Sequence, residues 1–219
     1  MSRINPRNIP IVGVVAAFGL LAISAYQYSG NMHWTRVTVS LLCAPTLPDG
    51  SPNLGRELPI TALLLLCASM ALLFHFISQL PETRVQHNAI QIGGIGSMVY
   101  ALLTATPMHN LMVNIALVLV IVAIVAIIYM LYRKQYFMLA ILGTACIAVK
   151  FGSVSLYYTN AYTEIWGVLQ KLSFIMTTTW LFAVHLNVKS RIVDRDITNK
   201  CTEVADGAEI EAMVTPATR

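Results

Sequence analysis

Two lysines, Lys150 and Lys171, lie inside long apolar stretches of the sequence, where charged side chains are rare. Lys150 stands seven residues before Tyr157 and Lys171 seven residues after Glu164, so in helices that rise about 1.5 Å per residue both lie about 10 Å below the same membrane interface. A charge at that depth costs at least a few kcal/mol and normally faces a bundle interior, a partner or water. The pair predicts a net-positive pocket for an anionic group, such as a lipid phosphate or a carboxylate.

Other polar residues are expected around the mouth of this pocket. Glu164 is the obvious counter-charge, while histidine and asparagine side chains at the start of the fourth span would orient a ligand. An arginine and a tryptophan of the preceding loop would close the pocket. The predicted ligand-binding residues are Lys150, Lys171, Glu164, His109, Asn110, Asn114, Arg36 and Trp34. The alternative is that each lysine snorkels to the interface or pairs with Glu164 or with a carbonyl at a helix end.

The sequence offers weaker signals for metal or covalent chemistry. None of the five histidines pairs with another at i, i+4 on one helix, and no aspartate lies inside an apolar run, so we predict neither a metal site nor a cofactor. A hydrolase would need an activated serine beside a base. Ser40 or Ser153 with His109 are the candidates, and this third hypothesis leaves the catalytic residues unknown.

The composition indicates which elements must position these residues. Of the 219 residues 57% are hydrophobic and 11% charged, and the mean hydropathy is +0.68. This excludes a soluble fold, because ordinary soluble domains carry roughly 25% charged residues. Spanning helices need about 20 apolar residues. We therefore predict an all-α integral membrane bundle of six helices, within the runs Ile9–Tyr28, Pro59–Leu80, Ala89–Met108, Leu111–Tyr132, Tyr136–Leu156 and Glu164–Leu186.

The distribution of basic residues predicts the orientation of this bundle. With both termini in the cytoplasm, ten lysines and arginines fall on the inner side and only Arg36 and Arg56 on the outer side, as expected when short cytoplasmic loops carry the positive charge. The prediction is a multi-pass protein of the cytoplasmic membrane. Its domains are a membrane bundle over residues 1–188, with an outer loop at 30–58, and a cytoplasmic tail at 189–219 whose composition is typical of disorder.

The outer loop is predicted to be a structured cap. Several prolines and glycines mark turns in it. Its segment 36–41 alternates polar and apolar residues, which fits a short strand or a segment dipping into the headgroups.

One face of the third span carries small residues at intervals of four. Such a face lets another helix approach closely in lipid. It also supports a second hypothesis of a different class, a non-catalytic accessory or assembly subunit that binds a membrane-protein partner through this face; no nucleic-acid partner is expected. The residues are Gly93, Ser97, Ala101 and Ala105.

Several short motifs resemble those of small six-span membrane proteins. The motifs are Trp34, Arg36, Thr38, Ser40 and Leu42, then Asn53 and Gly55, then Thr106-Pro107-x-His109, and Gln170-Lys171-Leu172-Ser173-Phe174. With these motifs the sequence is similar to uncharacterised bacterial six-helix families and, more distantly, to DRAM/FRAG/Sfk-like proteins. This resemblance implies six spans, cytoplasmic termini and, from the eukaryotic relatives, an association with membrane-lipid handling, including remodelling of lipid anchors, but it carries no catalytic residues.

Overall fold

The computed structural model describes residues 8–28, 37–47, 49–106, 108–159 and 165–188. These residues form seven helices and no strand; Thr46 and Pro52 make one isolated bridge. The helices are α1 (Ile9–Gln27), α2 (Val39–Cys43), α3 (Glu57–Ser78), α4 (Arg84–Leu103), α5 (His109–Arg133), α6 (Phe137–Thr159) and α7 (Ile165–Val188).

Five of these helices, α1, α3, α5, α6 and α7, are long and apolar enough to cross a membrane. Their outer surfaces are apolar as well, because Val15, Val118 and Ile141 are each more than 60% exposed. Exposure of such an apolar surface to water is strongly unfavourable, whereas its contact with lipid tails is not. The protein is therefore a membrane-embedded helical bundle. The predicted all-α class is confirmed, and five of the six predicted spans meet the criteria of length and composition.

The helix α4 is less apolar than the other long helices, since Gln86, His87, Asn88 and Gln91 lie in its first half. It nevertheless packs along both α3 and α5. Two glycines allow this close packing. A Cβ atom on Gly93 would lie 2.8 Å from the Leu119 carbonyl oxygen of α5, and a Cβ atom on Gly94 would overlap the Phe74 ring of α3.

The two ends of the bundle differ, and we name them by their connections. The turn end holds the α3–α4 and α5–α6 turns, which are joined by an ion pair of 3.1 Å between Lys134 Nζ and Glu82 Oε1. The loop end holds the segment between α1 and α3 and the α4–α5 connection. Because α4 starts beside Glu82 and ends beside the first residue of α5, it runs the full length of α5.

The α5–α6 turn shows how the chain reverses at the turn end. Gln135 adopts φ 63°, the only positive φ of a non-glycine residue in the described segments. Its N–H donates to the Tyr132 carbonyl at 3.1 Å, and the Tyr136 N–H donates to the Leu131 carbonyl at 2.9 Å. These two bonds form a Schellman motif, which satisfies the last carbonyls of α5.

The hydrophobic core is concentrated in the half of the bundle nearer the turn end. There α7 packs against α6 through Trp180, whose Nε1 donates to the Leu139 carbonyl at 2.7 Å. Gly143 of α6 makes room for the Trp180 ring, because a Cβ atom at this position would overlap it. Fully buried side chains of α1, α3, α4, α5 and α7 complete this core, among them Val14, Phe74, Ile90, Ile127 and Leu181.

The loop end is closed by an ordered segment. Of the two alternatives for segment 36–41, a strand and a segment dipping into the headgroups, the strand is not formed by the described residues. Thr38 accepts a hydrogen bond from the Leu41 N–H at 3.2 Å and so caps α2, because a threonine at the N-cap favours a helix. Asn53 then fixes the segment by donating from Nδ2 to the Leu42 and Ala44 carbonyls, both at 3.0 Å. The expected cap is thus a short helix held by one buried asparagine.

Residues 1–7, 29–36 and 189–219 are outside the described residues. The predicted tail and its disorder, together with the residues nearest the two termini, therefore remain predictions.

Candidate functional site

A cavity of about 680 Å³ lies between α2 and the helices α3 to α7 in the half of the bundle nearer the loop end. This volume is in the range of small-molecule sites. On α7 its lining runs from Trp166 to Thr178, which corresponds to a length of roughly 18 Å at the rise of an α-helix. The cavity lies above the packed core, because the Phe74 side chain lines its floor and also belongs to that core.

The wall formed by α3, α4 and α5 is mainly apolar. Leucine, methionine, alanine and valine side chains cover it over several helical turns, and they can contact a hydrocarbon chain without desolvating a polar group. The principal residues of this wall are Leu63, Leu66, Met70, Met98, Ala101, Val113, Leu117 and Val120.

The opposite wall, formed by α6 and α7, is polar. It carries Lys150, two serines, two threonines and an amide. Thr177 is only 7% exposed, and its hydroxyl has no hydrogen-bond partner in the described segments except for the adjacent Cys146 thiol. Gln170 Oε1 is also buried without a partner there. Buried polar groups normally have such partners, so this wall retains unused capacity for hydrogen bonds.

Lys150 is the only charged side chain among the described residues that line the cavity. Its Nζ lies 5.5 Å from the centre of the Phe174 ring, a cation–π contact. Within the described segments it forms no ion pair. The same face of α6 places Ser153 and Tyr157 on the cavity, as their spacing of three and seven residues from Lys150 predicts.

The mouth of the cavity is built by hydrogen bonds between aromatic and amide side chains. Tyr158 donates to Asn114 Oδ1 at 2.6 Å, and Tyr157 donates to Asn110 Oδ1 at 3.0 Å. The Tyr157 ring also lies 5.2 Å from the Trp166 ring, measured between centroids. These contacts join α5, α6 and α7 at the loop end.

His109 begins α5 and lines the cavity near its mouth. Its Nδ1 donates to the Thr104 carbonyl at 2.7 Å, because a carbonyl oxygen can only accept. In the neutral imidazole this bond leaves Nε2 as an acceptor. His109 is thus oriented by the end of α4.

The structure brings together only part of the predicted site. Lys150, His109 and Asn114 line the cavity, whereas Lys171 and Asn110 do not. Glu164, Arg36 and Trp34 lie outside the described residues.

The position of Lys171 departs from the prediction that both lysines share one pocket. On α7 the cavity face is formed by Trp166, Gln170, Ser173 and Thr177 and their neighbours. With about 100° of rotation per residue, Lys171 lies roughly 100° from the middle of this face. The equal depth predicted for Lys150 and Lys171 therefore does not place both side chains in one cavity.

The small-residue face of α4 is also used within the chain. Gly93 contacts α5, while Ser97, Ala101 and Ala105 line the cavity. Ser97 is 1% exposed. Close helix approach is what the spacing predicts, and at Gly93 the approaching helix is α5 of the same chain. Binding of a protein partner through this face stays a prediction.

The hydroxyl and amide groups that α7 contributes to the cavity were not among the predicted site residues. Gln170, Ser173 and Thr177 recur at intervals of three and four residues in an otherwise apolar helix. This spacing places them on one face. That pattern in the sequence indicates which side of α7 faces the cavity.

Cys43 and Cys67 line the cavity from α2 and α3, and both are buried with free thiols. Burial raises the pKa of the Cys43 thiol to about 11, while the nearby Arg56 guanidinium acts in the opposite direction. A thiol with such a pKa is a poor nucleophile at neutral pH, because the thiolate is the reactive form.

The serines considered for hydrolysis do reach the cavity, but they do not form a nucleophile–base pair there. Ser40 Oγ lies 3.1 Å from Thr38 Oγ1. In the described part of the chain neither Ser40 nor Ser153 is hydrogen-bonded to His109. Nucleophilic catalysis requires such a contact, although it is often looser in the absence of substrate.

Comparison with known proteins gives one match. Neither a curated protein nor a solved structure matches the chain. The DUF998 family, described as a protein of unknown function, matches residues 11–187, which include α3 to α6, most of α1 and α7, and the whole cavity lining. No similarity to DRAM/FRAG proteins is shown. Since the match covers well over half of the sequence, the chain belongs to the DUF998 family.

Proposed function

We propose that this protein binds an anionic amphiphile in the cavity between α3 and α7, for lipid handling or transport. The observation that carries the proposal is Lys150, a cation without an ion-pair partner in the described segments, on the polar wall of a cavity whose other wall is apolar. A polar head and an apolar chain would each find a matching surface.

The charge of Lys150 would contribute directly to the affinity for an anionic ligand. An ammonium group held among helices is costly unless it is paired or hydrated. An anionic head beside Nζ would form a charge-assisted hydrogen bond, and such bonds contribute about 1.5–3 kcal/mol. That corresponds to roughly tenfold to hundredfold in the dissociation constant.

The proposed binding residues are revised accordingly. Lys150 supplies the charge, and Ser153, Ser173 and Thr177 supply hydrogen bonds beside it. At the mouth, Asn114 and His109 orient the entering ligand. Three residues remain proposed as ligand-binding residues on the basis of the sequence alone: Glu164, Arg36 and Trp34.

The proposal includes six membrane spans, with α4 as the sixth. Support comes from its length of 20 residues and its course along the whole of α5. We also propose that the turn end faces the cytoplasm, together with both termini. Arg84, Arg133 and Lys134 lie at the turn end, in agreement with the positive-inside rule. The cavity would then open at the outer side of the cytoplasmic membrane.

The test compares two variants that carry the same substitution, lysine to methionine, at two positions. Lys150→Met removes the charge from the cavity, and Lys171→Met removes a charge of similar depth away from it. Native mass spectrometry of protein extracted in a mild detergent should detect a bound anionic amphiphile in wild type and in Lys171→Met, but not in Lys150→Met.

Equal thermal unfolding midpoints would show that the variants are folded. If all three proteins carry the same amphiphile in the same amount, the proposal is wrong. The Lys150→Arg variant, which keeps the charge, is expected to retain part of the binding.

An accessory-subunit role is the second candidate, with the small-residue face of α4 as its proposed contact surface. A membrane-embedded lipid hydrolase is the third, since Ser40, Ser153 and His109 all line the cavity. Copurification of one stoichiometric membrane protein, with no bound amphiphile, would favour the accessory role.

A further inference from the structure

The size of the cavity restricts how large an amphiphile it can enclose. Sites of about 300–1,000 Å³ enclose most of the surface of one drug-sized ligand, and the cavity of about 680 Å³ belongs to this range. A single long acyl chain with its head atoms is of this size. A phospholipid with two acyl chains has more than twice as many atoms and would leave most of its surface outside.

The charges of the lining restrict the head group. Lys150 is the one charged residue among the described lining residues, and the other polar groups of the α6–α7 wall are neutral hydroxyls and an amide. One ammonium neutralises one negative charge, and a second buried negative charge would lack a partner at a high free-energy cost. The lining therefore favours a head with a single negative charge.

The hydrogen-bonding groups near Lys150 restrict the head further. Cys146 and Lys150 are one helical turn apart on α6, and the buried Thr177 hydroxyl lies beside the Cys146 thiol. The Phe174 ring covers another side of the ammonium. A flat, compact anion can approach Nζ and a hydroxyl together, because a carboxylate has two oxygens that both accept hydrogen bonds.

Taking the proposed amphiphile site as given, we infer that its ligand is a single-chain monoanion, a long-chain carboxylate, with its head at Lys150 and its chain along the apolar wall of α3–α5. The inference deepens the proposed function and rests on it. Two-chain phospholipids and neutral single-chain lipids are excluded as tight ligands.

The test titrates the purified full-length protein, in one nonionic detergent at pH 8, with three probes: palmitate, hexadecanol and dipalmitoyl phosphatidic acid. Native mass spectrometry counts the bound molecules. We expect one palmitate per chain, with affinity about tenfold or more lower in Lys150→Met and unchanged in Lys171→Met. Hexadecanol should bind more weakly than palmitate and equally to all three proteins.

The outcomes show whether the single-chain inference fails alone or the proposed function fails with it. If phosphatidic acid binds at least as tightly as palmitate and depends on Lys150, the single-chain inference fails while the proposed function stands. If hexadecanol equals palmitate in wild type, the carboxylate assignment fails. If neither anionic probe depends on Lys150, both proposals fail. Retention of palmitate by Lys150→Arg, a second charged variant, supports the inference even where Lys150→Met is unstable.

Discussion

Replacing Gly93 by alanine tests the close packing of α4 against α5, on which the cavity wall depends. The new Cβ atom would lie 2.8 Å from the Leu119 carbonyl oxygen and 3.2 Å from the Ala123 backbone nitrogen. Both neighbours are backbone atoms of a helix, so they cannot rotate away as a side chain could. The two helices must separate instead.

The expected free-energy change combines two opposing effects. Alanine is a better helix former than glycine by about 1 kcal/mol. Overpacking in a tight interface costs about 1–3 kcal/mol, and contact with backbone belongs at the upper end. Gly93→Ala should therefore lower the free energy of unfolding by about 1–2 kcal/mol.

Gly19→Ala is the matched control. Gly19 lies on an exposed face of α1, and a Cβ atom there meets nothing within 4 Å. This variant keeps only the helix-propensity gain, so it should stabilise the protein by up to about 1 kcal/mol. Reversible unfolding in mixed detergent micelles measures both changes. If the Gly93→Ala variant is as stable as the Gly19→Ala variant, the α4–α5 packing described above is wrong.

Three further predictions concern the turn, the loop segment and its thiol. Gln135→Gly should raise the unfolding free energy by about 1 kcal/mol in the same assay, because Gln135 has a positive φ; an unchanged or lower value would contradict this. Asn53→Asp removes the amide that donates to Leu42 and Ala44, so alkylation of Cys43 should become faster, and equal rates would argue against the asparagine anchor. In wild type, alkylation of Cys43 at pH 7 should be slow and should rise about tenfold per pH unit toward the thiol pKa of about 11; a plateau below pH 9 would contradict the raised pKa.

The helices could largely be predicted from the sequence, because their length and hydropathy are local properties. The run predicted at Pro59–Leu80 corresponds to α3 at Glu57–Ser78, and the run at Leu111–Tyr132 to α5 at His109–Arg133. The α2 helix was missed, because the alternating pattern fitted a strand or a segment dipping into the headgroups, whereas the capping by Thr38 favours a helix in such a short segment.

The site was less predictable, because it depends on which helix faces meet. Depth along a helix placed Lys150 and Lys171 at one level, but rotation about the helix axis separates Lys171 from the cavity. The apolar wall of α3, α4 and α5 looks like any lipid-facing surface in the sequence. Only the packing of α4 between its neighbours shows that this surface faces inward.

The position of the acyl chain of a bound amphiphile tests the proposed site most directly. Photo-crosslinking with a palmitate that carries a diazirine in mid-chain, followed by mapping of labelled residues, measures this position. We predict labels on Leu63, Leu66 and Leu117 that unlabelled palmitate competes away and that Lys150→Met abolishes. Labels confined to outward-facing residues such as Val15 and Ile141, in equal amount in wild type and Lys150→Met, would contradict the account.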